Sequence, residues 1–277
     1  MAGVTAKPAI FTSPAVGGAR QIFARPLPAL PGRHRQILLK TLLAAFGRMV
    51  EIAGAERLSA TPEPALFALN HSNAAESLLV PAVLFYLRGR PIHFLADWMF
   101  LDLPLVGPLL RLGEPIPVYG KRARFGWRDR RRRRRAAEPV LDACLARLRE
   151  GRSVGLFPEG TRNPDPAHLL PGRPGLGQLV LRSSAPVVPI GVRYPAARDR
   201  APLFGRAELH VGAPLDFSAE RALFTGIRDE PGWGRTRRAL GRRIVCTVME
   251  NLSELSGKRP PQTTRSAKEE TPCAPVP

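Results

Sequence analysis

Residues 154–163 are the most informative stretch of this chain: Val154-Gly155-Leu156-Phe157-Pro158-Glu159-Gly160-Thr161-Arg162-Asn163. The short apolar run at its start is typical of a buried strand. A glycine at the strand exit lets backbone N–H groups approach a ligand, and a threonine and an arginine in the same turn can hold a phosphate or a carboxylate. The stretch therefore predicts a buried strand that leads into a ligand-binding loop. A polar turn with a solvated arginine is the plainer alternative.

On both sides of this stretch, short apolar runs alternate with stretches of helical period. The predicted strands are 65–69, 92–96, 116–119, 154–157, 187–192 and 207–211, and the predicted helices are 74–88, 136–150, 175–184 and 236–255. Strands separated by helices favour an α/β fold with a mostly parallel central sheet flanked by helices. Ligands of such sheets bind where loops leave the carboxyl ends of the strands.

The two ends of the chain differ in composition from the middle. Residues 1–33 are rich in Pro, Ala and Gly and predict a flexible leader, and residues 257–277 predict a disordered tail. Residues 34–256 between them form one predicted domain. At its start, residues 36–52 place apolar side chains at helical spacing, which predicts an amphipathic helix that packs on the core or lies on a membrane surface.

The chain is strongly basic, and the charge is concentrated. It has 277 residues with 42 Lys and Arg against 23 Asp and Glu, a net charge of +19. Much of the excess lies in residues 121–135, which include the run Arg128–Arg135. Such a chain favours polyanionic partners, of which an anionic membrane surface is the expected one, and a solvated loop with no partner is the equal alternative for the Arg128–Arg135 run. A nucleic-acid-binding protein is the less favoured alternative, because only 6% of the residues are aromatic and none interleave with the Arg128–Arg135 run for base stacking.

The cysteines and the apolar runs indicate the compartment. Cys144, Cys246 and Cys273 are far apart and have no metal-ligand or redox spacing, which is typical of a reducing compartment. No apolar run reaches the ~18 residues of a transmembrane helix, and the N-terminus lacks the order of a signal peptide. The expected location is the cytoplasm, peripheral on the inner face of the membrane.

A second unusual loop follows the predicted strand 65–69 and contains Asn70-His71-Ser72-Asn73-Ala74-Ala75-Glu76. Residues five apart do not stack on a helix face, so pairing needs a turn with His71 before the helix and Glu76 in its first turn. There the carboxylate can accept the imidazole Nδ1–H and leave Nε2 free as a base. A capping box formed by Asn73 and Glu76 is the structural alternative.

A third stretch, Ala-Pro-Val-Val-Pro-Ile-Gly-Val at residues 185–192, suits an edge-like strand whose start is set by Pro186, and by itself it predicts a strand of the core. Together and in this order, the three stretches resemble the lysophospholipid acyltransferase (PlsC-like glycerolipid acyltransferase) family. That family carries a His, four residues and an Asp, then a Phe-Pro-Glu-Gly-Thr-Arg-Ser block, then a Val-Pro-Ile or Val-Pro-Val strand. Residues 172–175 are also similar to its Lys-x-Gly segment, and the resemblance covers about residues 60–215.

The resemblance implies that residues 34–256 are an acyltransferase domain. The expected reaction is direct transfer of a fatty acyl group from a thioester, acyl-CoA or acyl-carrier protein, to a hydroxyl of a lysophospholipid, by default 1-acylglycerol-3-phosphate. It implies His71 as the general base and Glu76 as the residue that orients it. The expected acceptor-side residues are Glu159, Gly160, Thr161 and Arg162. The family chemistry implies no cofactor and no metal ion.

Two departures from the family pattern leave alternatives open. Glu76 stands where the family has an aspartate. The family's second block ends in an arginine thought to contact the acceptor phosphate, but residues 115–122 lack its aspartate and displace the basic residue, so Lys121 and Arg122 are both candidates. A catalytically weakened, membrane-associated adaptor is therefore the alternative function. A covalent route would need a nucleophile, for which Ser72 is the candidate.

Overall fold

The computed structural model describes residues 12–120, 139–195, 205–226 and 233–261. In these ranges the central sheet has eight strands: β1 (Ser13–Pro14), β2 (Val50–Ala53), β3 (Leu66–Leu69), β4 (His93–Asp97), β5 (Ile116–Val118), β6 (Val154–Leu156), β7 (Val187–Arg193) and β8 (Ala207–Val211). Their order across the sheet is β1-β2-β8-β7-β3-β6-β4-β5. Only the β1–β2 and β7–β8 pairs are antiparallel, and the other pairs are parallel. The predicted mostly parallel sheet is confirmed.

Helices cover both faces of the sheet. The described helices are α1 (Ala19–Ala24), α2 (Arg33–Phe46), α3 (Ala55–Ala60), α4 (Glu76–Arg88), α5 (Trp98–Leu101), α6 (Val106–Leu110), α7 (Val140–Arg149), α8 (Gly175–Leu181), α9 (Ser218–Gly226) and α10 (Trp233–Ser256). α1, α2 and α4 pack on one face, and α7, α8 and α10 pack on the other. Within the described ranges no helix combines the length and the apolar character needed to cross a bilayer.

Strand β3 shows why its sequence is apolar without alternation. Leu66 and Ala68 belong to the core beneath α7, α8 and α10, whereas Phe67 and Leu69 belong to the core beneath α2 and α4. Successive side chains of a strand point to opposite faces, so a strand buried on both sides is apolar at every position. The predicted strands and helices are all present, with their ends shifted by a few residues.

The predicted flexible leader, residues 1–33, is wrong for its described part. Residues 12–33 form β1 and α1 and bury Ile22, Leu27 and Leu30 in the core. Lys40 of α2 fastens this segment, because its Nζ donates to the carbonyl oxygen of Phe23 at 2.9 Å. Proline and glycine interrupt periodic structure here, so the apolar pattern of the sequence gives no sign of the burial. Residues 1–11 lie outside the described ranges.

The predicted disordered tail, residues 257–277, is wrong at its start. Gly257 adopts φ +70°, the left-handed conformation that favours glycine after a helix, and turns the chain away from α10. The next residues pair with the 167–169 segment: Arg259 N–H donates to Ala167 O at 2.7 Å, and Leu169 N–H donates to Arg259 O at 2.9 Å. The ordered domain therefore continues to residue 261, and residues 262–277 lie outside the described ranges.

The predicted amphipathic helix 36–52 is confirmed only over its first part. α2 ends at Phe46, a 3-10 turn spans Gly47–Met49, and Val50–Ala53 form β2, which pairs in parallel with β8. Short apolar runs fit a helix or a strand equally well. The partner strand, more than 150 residues away in the chain, decides between them.

Strand β7 is central, where an edge-like strand was predicted, because it pairs with β3 on one side and β8 on the other. Pro189 is tolerated because of where its missing N–H would point. Its carbonyl oxygen accepts the Gly212 N–H at 2.8 Å, on the side where β8 has already ended at Val211. In a strand the N–H and C=O of one residue point to the same side, so the missing N–H of Pro189 faces the end of β8 and takes no bond from the ladder with β3.

Candidate active site

Three loops meet at one edge of the sheet. β3, β6 and β7 are parallel neighbours, so their carboxyl ends lie at the same edge. The loop after β3 carries His71, the loop after β6 carries residues 157–163, and Tyr194 follows β7. The topology therefore brings together the motifs that the sequence placed about 90 residues apart.

The side chains of His71 and Glu76 are in direct contact. His71 Nδ1 lies 2.8 Å from Glu76 Oε2, and the same oxygen accepts the Ser72 backbone N–H at 2.7 Å. Glu76 is the first residue of α4 and is 2% exposed. Because a carboxylate only accepts, Nδ1 carries the hydrogen, and Nε2 is left with a free lone pair.

One of the two hydrogen bonds of the predicted capping box is present at the N-terminus of α4. The Glu76 backbone N–H donates to Asn73 Oδ1 at 3.2 Å, as a cap requires. The Glu76 carboxylate contacts His71 Nδ1 and the Ser72 N–H at the distances given above. The loop thus accommodates a side chain one methylene longer than the family's aspartate, and the Asn73–Glu76 spacing supplies one hydrogen bond of a capping box beside the His71–Glu76 pair.

The imidazole of His71 packs against an aromatic ring, and His71 lines a cavity. Its ring stacks on Phe157 with the centroids 4.1 Å apart and an interplanar angle of 21°. Ser77 Oγ lies 3.4 Å from Nε2, a long distance for a hydrogen bond. Since His71 and Ser77 both line the cavity, Nε2 is the ring atom available to a ligand.

Glu159 is buried behind the turn and does not occupy the acceptor-side position that the sequence predicted for it. The residue is 1% exposed. Its Oε1 accepts the His71 backbone N–H at 3.0 Å, and its Oε2 accepts from Asn163 Nδ2 at 2.9 Å and from the Leu170 N–H at 2.8 Å. The carboxylate therefore joins the His71 loop to the 157–170 loop and does not line the cavity.

The other three residues of this turn are exposed and line the cavity: Gly160, Thr161 and Arg162. Gly160 has φ +67°, a conformation that disfavours other residues, and its N–H donates to Phe157 O at 2.9 Å. The Arg173 backbone N–H donates to Pro158 O at 2.7 Å, so the 172–175 segment supports the turn. The structure thus brings Arg162 to the same cavity as His71.

The cavity has a volume of about 770 Å³ and a mainly apolar lining. It extends along β4, from Asp97 at the carboxyl end of the strand to Ile92 before its amino end, a span of about 16 Å at the usual rise per residue. Its apolar wall comes from α2, α4, β4 and α6 and includes Leu39, Leu42, Phe46, Phe85, Phe94 and Leu109. An elongated apolar ligand fits this volume and span.

The predicted residues Lys121 and Arg122 lie outside the described ranges, as does the basic run Arg128–Arg135. Gly120, the last described residue before them, lines the cavity. Their assignment as acceptor-binding residues stays a prediction.

Ser72, the nucleophile candidate from the sequence, and the thiol of Cys144 are both buried and do not line the cavity. The Ser72 Oγ accepts a hydrogen bond from Lys258 Nζ at 2.9 Å. Burial also raises the pKa of the Cys144 thiol to about 12, which suppresses the thiolate. Among the described residues, no three His, Cys, Asp or Glu side chains are grouped as metal ligands would be.

Three residues of the site have no signal in the sequence. Asn70 clamps β3 to β7, since its Nδ2 donates to Val192 O at 2.9 Å and its Oδ1 accepts the Val192 N–H at 2.7 Å. Tyr194 Oη accepts from Asn73 Nδ2 at 2.7 Å; burial and then the Glu76 carboxylate raise the pKa of this tyrosine. Lys258 reaches the site from the segment predicted to be a tail. All three depend on contacts across 120 or more residues, which local patterns do not contain.

Fold and site define an α/β protein with a His–Glu pair at the carboxyl edge of its sheet, and comparison with known proteins agrees. Residues 49–193 match the family model described as Acyltransferase. The chain belongs to this family, and the resemblance to PlsC-like glycerolipid acyltransferases is confirmed.

Three curated relatives share one name, 1-acyl-sn-glycerol-3-phosphate acyltransferase. The chloroplastic protein of Brassica napus is 27% identical over 140 residues, which is 50% of this chain and 36% of the relative. That of Arabidopsis thaliana is 27% identical over 141 residues, 51% of this chain and 35% of the relative. The protein of Limnanthes alba, whose name carries no location, is 28% identical over 145 residues, 52% of this chain and 45% of the relative. The matched part thus spans less than half the length of each relative.

Among the solved structures, this chain is similar to the 1-acyl-sn-glycerophosphate acyltransferase PlsC from Thermotoga maritima. The two chains are 19% identical and superpose with a TM-score of 0.47, covering 84% of this chain and 86% of the other.

Proposed function

We propose that this protein is an O-acyltransferase that moves an acyl group from a thioester to a hydroxyl of a lysophospholipid. The observation that carries the proposal is the 2.8 Å contact between His71 Nδ1 and Glu76 Oε2 on the wall of an apolar cavity that Arg162 also lines. The shared name of the three relatives supports 1-acyl-sn-glycerol-3-phosphate as the first acceptor to test.

In this mechanism His71 acts first as a base and then as an acid. Nε2 takes the proton of the acceptor hydroxyl while that oxygen attacks the carbonyl carbon of the thioester. The tetrahedral intermediate collapses with cleavage of the C–S bond, and the thiolate leaves with the proton from the imidazolium. Glu76 holds the imidazole in the required tautomer and stabilises the imidazolium that forms. The products are the ester and the free thiol.

The cavity supports the assignment of an acyl chain as ligand. Its lining is mainly apolar, and its polar groups are concentrated near one end, around His71, Thr161 and Arg162. An acyl chain extended along β4 toward Ile92 would place its carbonyl at His71 and the acceptor phosphate near Arg162. Burial of the chain removes apolar surface from water and so favours binding.

A panel of acceptors and donors tests this function. Purified protein is mixed with acyl-CoA or acyl-carrier protein and with 1-acyl-sn-glycerol-3-phosphate, other lysophospholipids or a phosphate-free alcohol, and free thiol and ester are measured. We expect turnover with a phosphate-bearing acceptor and a loss of turnover in His71→Ala. The adaptor alternative predicts no turnover with any pair, and that outcome would remove the enzyme proposal.

Replacing Arg162 by alanine is expected to raise the KM for the lysophospholipid by about tenfold or more, because a charge-assisted hydrogen bond to phosphate contributes about 1.5–3 kcal/mol. The KM for the acyl donor should change by less than about twofold. Initial rates with each substrate varied in turn give both values. Arg90→Ala is the control, since Arg90 is exposed and lies beyond the far end of α4. Equal increases in both KM values would remove Arg162 from the acceptor site.

Exposed apolar side chains border the cavity and support a peripheral position on a membrane. Leu105, which precedes α6, is 83% exposed, and Phe100 and Leu103 beside it are also exposed; both of the latter line the cavity. On α2, Ile37 is exposed in the same way. Exposed apolar groups on and beside the cavity lining, together with a net charge of +19, suit a surface that docks on anionic lipid.

Binding to vesicles that contain phosphatidylglycerol is expected to weaken steeply as salt is raised, because the basic charge is screened. Leu105→Glu should weaken binding by about tenfold or more at every salt concentration, since it removes an inserted apolar side chain. Leu223→Glu is the matched control: Leu223 is 55% exposed on α9, which packs against α8 and α10 on the other side of the sheet. Equal loss of binding in both variants, measured by co-sedimentation, would contradict docking through the Leu105 surface.

A further inference from the structure

A buried lysine lies behind the His71 loop, on the side away from the cavity lining. Lys258 is 7% exposed. Its Nζ donates to Ser72 Oγ at 2.9 Å and to the carbonyl oxygen of Asp165 at 2.8 Å. Lysine is almost never fully buried unless it is paired, so its charge is expected to act on the groups around it.

The anionic groups near Lys258 are those of the active site. Glu76 and Glu159 are both almost completely buried. Burial lowers the pKa of Lys258, and the carboxylates of Glu159, Glu76 and Asp165 act in the opposite direction. Two buried carboxylates are costly without a compensating charge. Among the described residues, the other buried cationic side chains lie elsewhere: Lys40 of α2 contacts Phe23, and Arg88 at the end of α4 pairs with Glu63.

The backbone at Lys258 is fixed by its neighbours. Its carbonyl oxygen accepts from Ser253 Oγ at 2.5 Å, and its N–H donates to Ser256 Oγ at 3.3 Å. On its other side, Arg259 is paired with the 167–169 segment. The fold therefore holds the ammonium group at Ser72.

One residue connects this lysine to the catalytic pair. Ser72 accepts from Lys258 through its side chain and donates to Glu76 Oε2 through its backbone N–H, and that carboxylate oxygen contacts His71 Nδ1. We propose that Lys258 is a positioning residue for the His71–Glu76 pair, an inference that rests on the proposed function: its ammonium group holds the loop at Ser72 and thereby keeps the Glu76 carboxylate on His71 Nδ1, and its charge balances the buried carboxylates beside the ring.

Several charged and titratable groups lie around the imidazole of His71, and their signs give the direction in which loss of the Lys258 charge should move its titration. Glu76 and Glu159 place negative charge beside the His71 loop, whereas Lys258 behind the loop and the cavity-lining Arg162 carry positive charge. Asp97 and Tyr194 also line the cavity, and Asp165 lies behind the loop. Removal of the Lys258 charge leaves the carboxylates uncompensated, so protonation of His71 becomes easier.

Lys258→Met is expected to move the titration midpoint of the His71 imidazole resonance to higher pH by about 0.5–1 unit, because a buried positive charge is lost nearby. Histidine-selective 15N labelling and NMR measure it without any substrate. The chain has five histidines, and the spectrum of His71→Ala assigns the resonance. If Lys258→Met does not fold, Lys258→Gln, which keeps a donor and loses the charge, is titrated in its place.

Two variants control for a purely structural effect. Lys258→Arg keeps the charge and should keep the wild-type midpoint. Lys40→Met removes the other buried lysine and should leave the His71 titration unchanged. An unchanged midpoint in Lys258→Met, or an equal shift in Lys40→Met, would overturn the proposal.

The pH profile of the reaction gives the second readout. In Lys258→Met the acid-side midpoint of kcat/KM should move in the same direction as the NMR midpoint, while the KM for acyl-CoA changes by less than about twofold, since Lys258 does not line the cavity. A wild-type protein with no turnover would overturn the proposed function and leave the NMR result in place. An active enzyme whose pH profile is unaffected by Lys258→Met would overturn the role of Lys258.

Discussion

Replacing His71 by alanine is expected to lower kcat for acyl transfer by at least about 10²-fold, the lower end of the range for a general base. The physical reason is geometric: Nε2 is the ring atom that reaches the cavity, and Nδ1 is occupied by Glu76 at 2.8 Å. Single-turnover release of free thiol from acyl-CoA in the presence of the acceptor measures the chemical step. Circular dichroism of the variant checks that the loss does not come from unfolding.

Ser77→Ala separates direct transfer from a covalent acyl-enzyme. Ser77 Oγ is 3.4 Å from His71 Nε2, so it is the hydroxyl that a covalent route would use. Direct transfer predicts a decrease of less than about tenfold in this variant, because Ser77 then only borders the acceptor. A loss as large as that of His71→Ala, or an acyl group found on the protein by mass spectrometry, would contradict direct transfer. Retention of full activity in His71→Ala would contradict the base assignment itself.

Glu159→Gln is expected to lower the free energy of unfolding by about 2–4 kcal/mol, because the substitution removes a buried charge that is hydrogen-bonded and leaves donors unpaired. The carboxylate accepts from the His71 N–H, from Asn163 Nδ2 and from the Leu170 N–H. An amide offers one oxygen and places its NH₂ group against at least one of these donors. Urea unfolding followed by fluorescence gives the difference.

The same change at an exposed glutamate provides the comparison. Glu150 is half-exposed and pairs with Arg147 and Arg152 on the surface, so Glu150→Gln should cost less than about 1 kcal/mol. If Glu159→Gln is as stable as the wild type while the KM for the acceptor rises, Glu159 contacts the substrate as the motif first suggested. That result would contradict its assignment as a link between the loops.

The site was predictable wherever its geometry is local. His71 and Glu76 are five residues apart, and a strand end followed by a helix start is enough to bring the carboxylate to Nδ1. The turn at residues 157–163 was likewise recognisable from its glycine and its charged side chains. The direction of Glu159 was not, because it depends on the His71 and Leu170 N–H groups that another loop and a later segment supply.

The sequence by itself determined the sheet and its helices. Both patterns are local: a strand buried on both faces is a continuous apolar run, and a helix repeats its apolar residues at helical spacing. Only the tertiary structure decided that residues 12–33 pack into the core, that β2 is a strand, that β7 is central and that Lys258 stands behind Ser72. Each of these depends on partners far away in the chain. Burial and pairing between such distant residues depend on how the helices and strands pack together. The hydrophobic pattern of neighbouring residues contains no information about that packing.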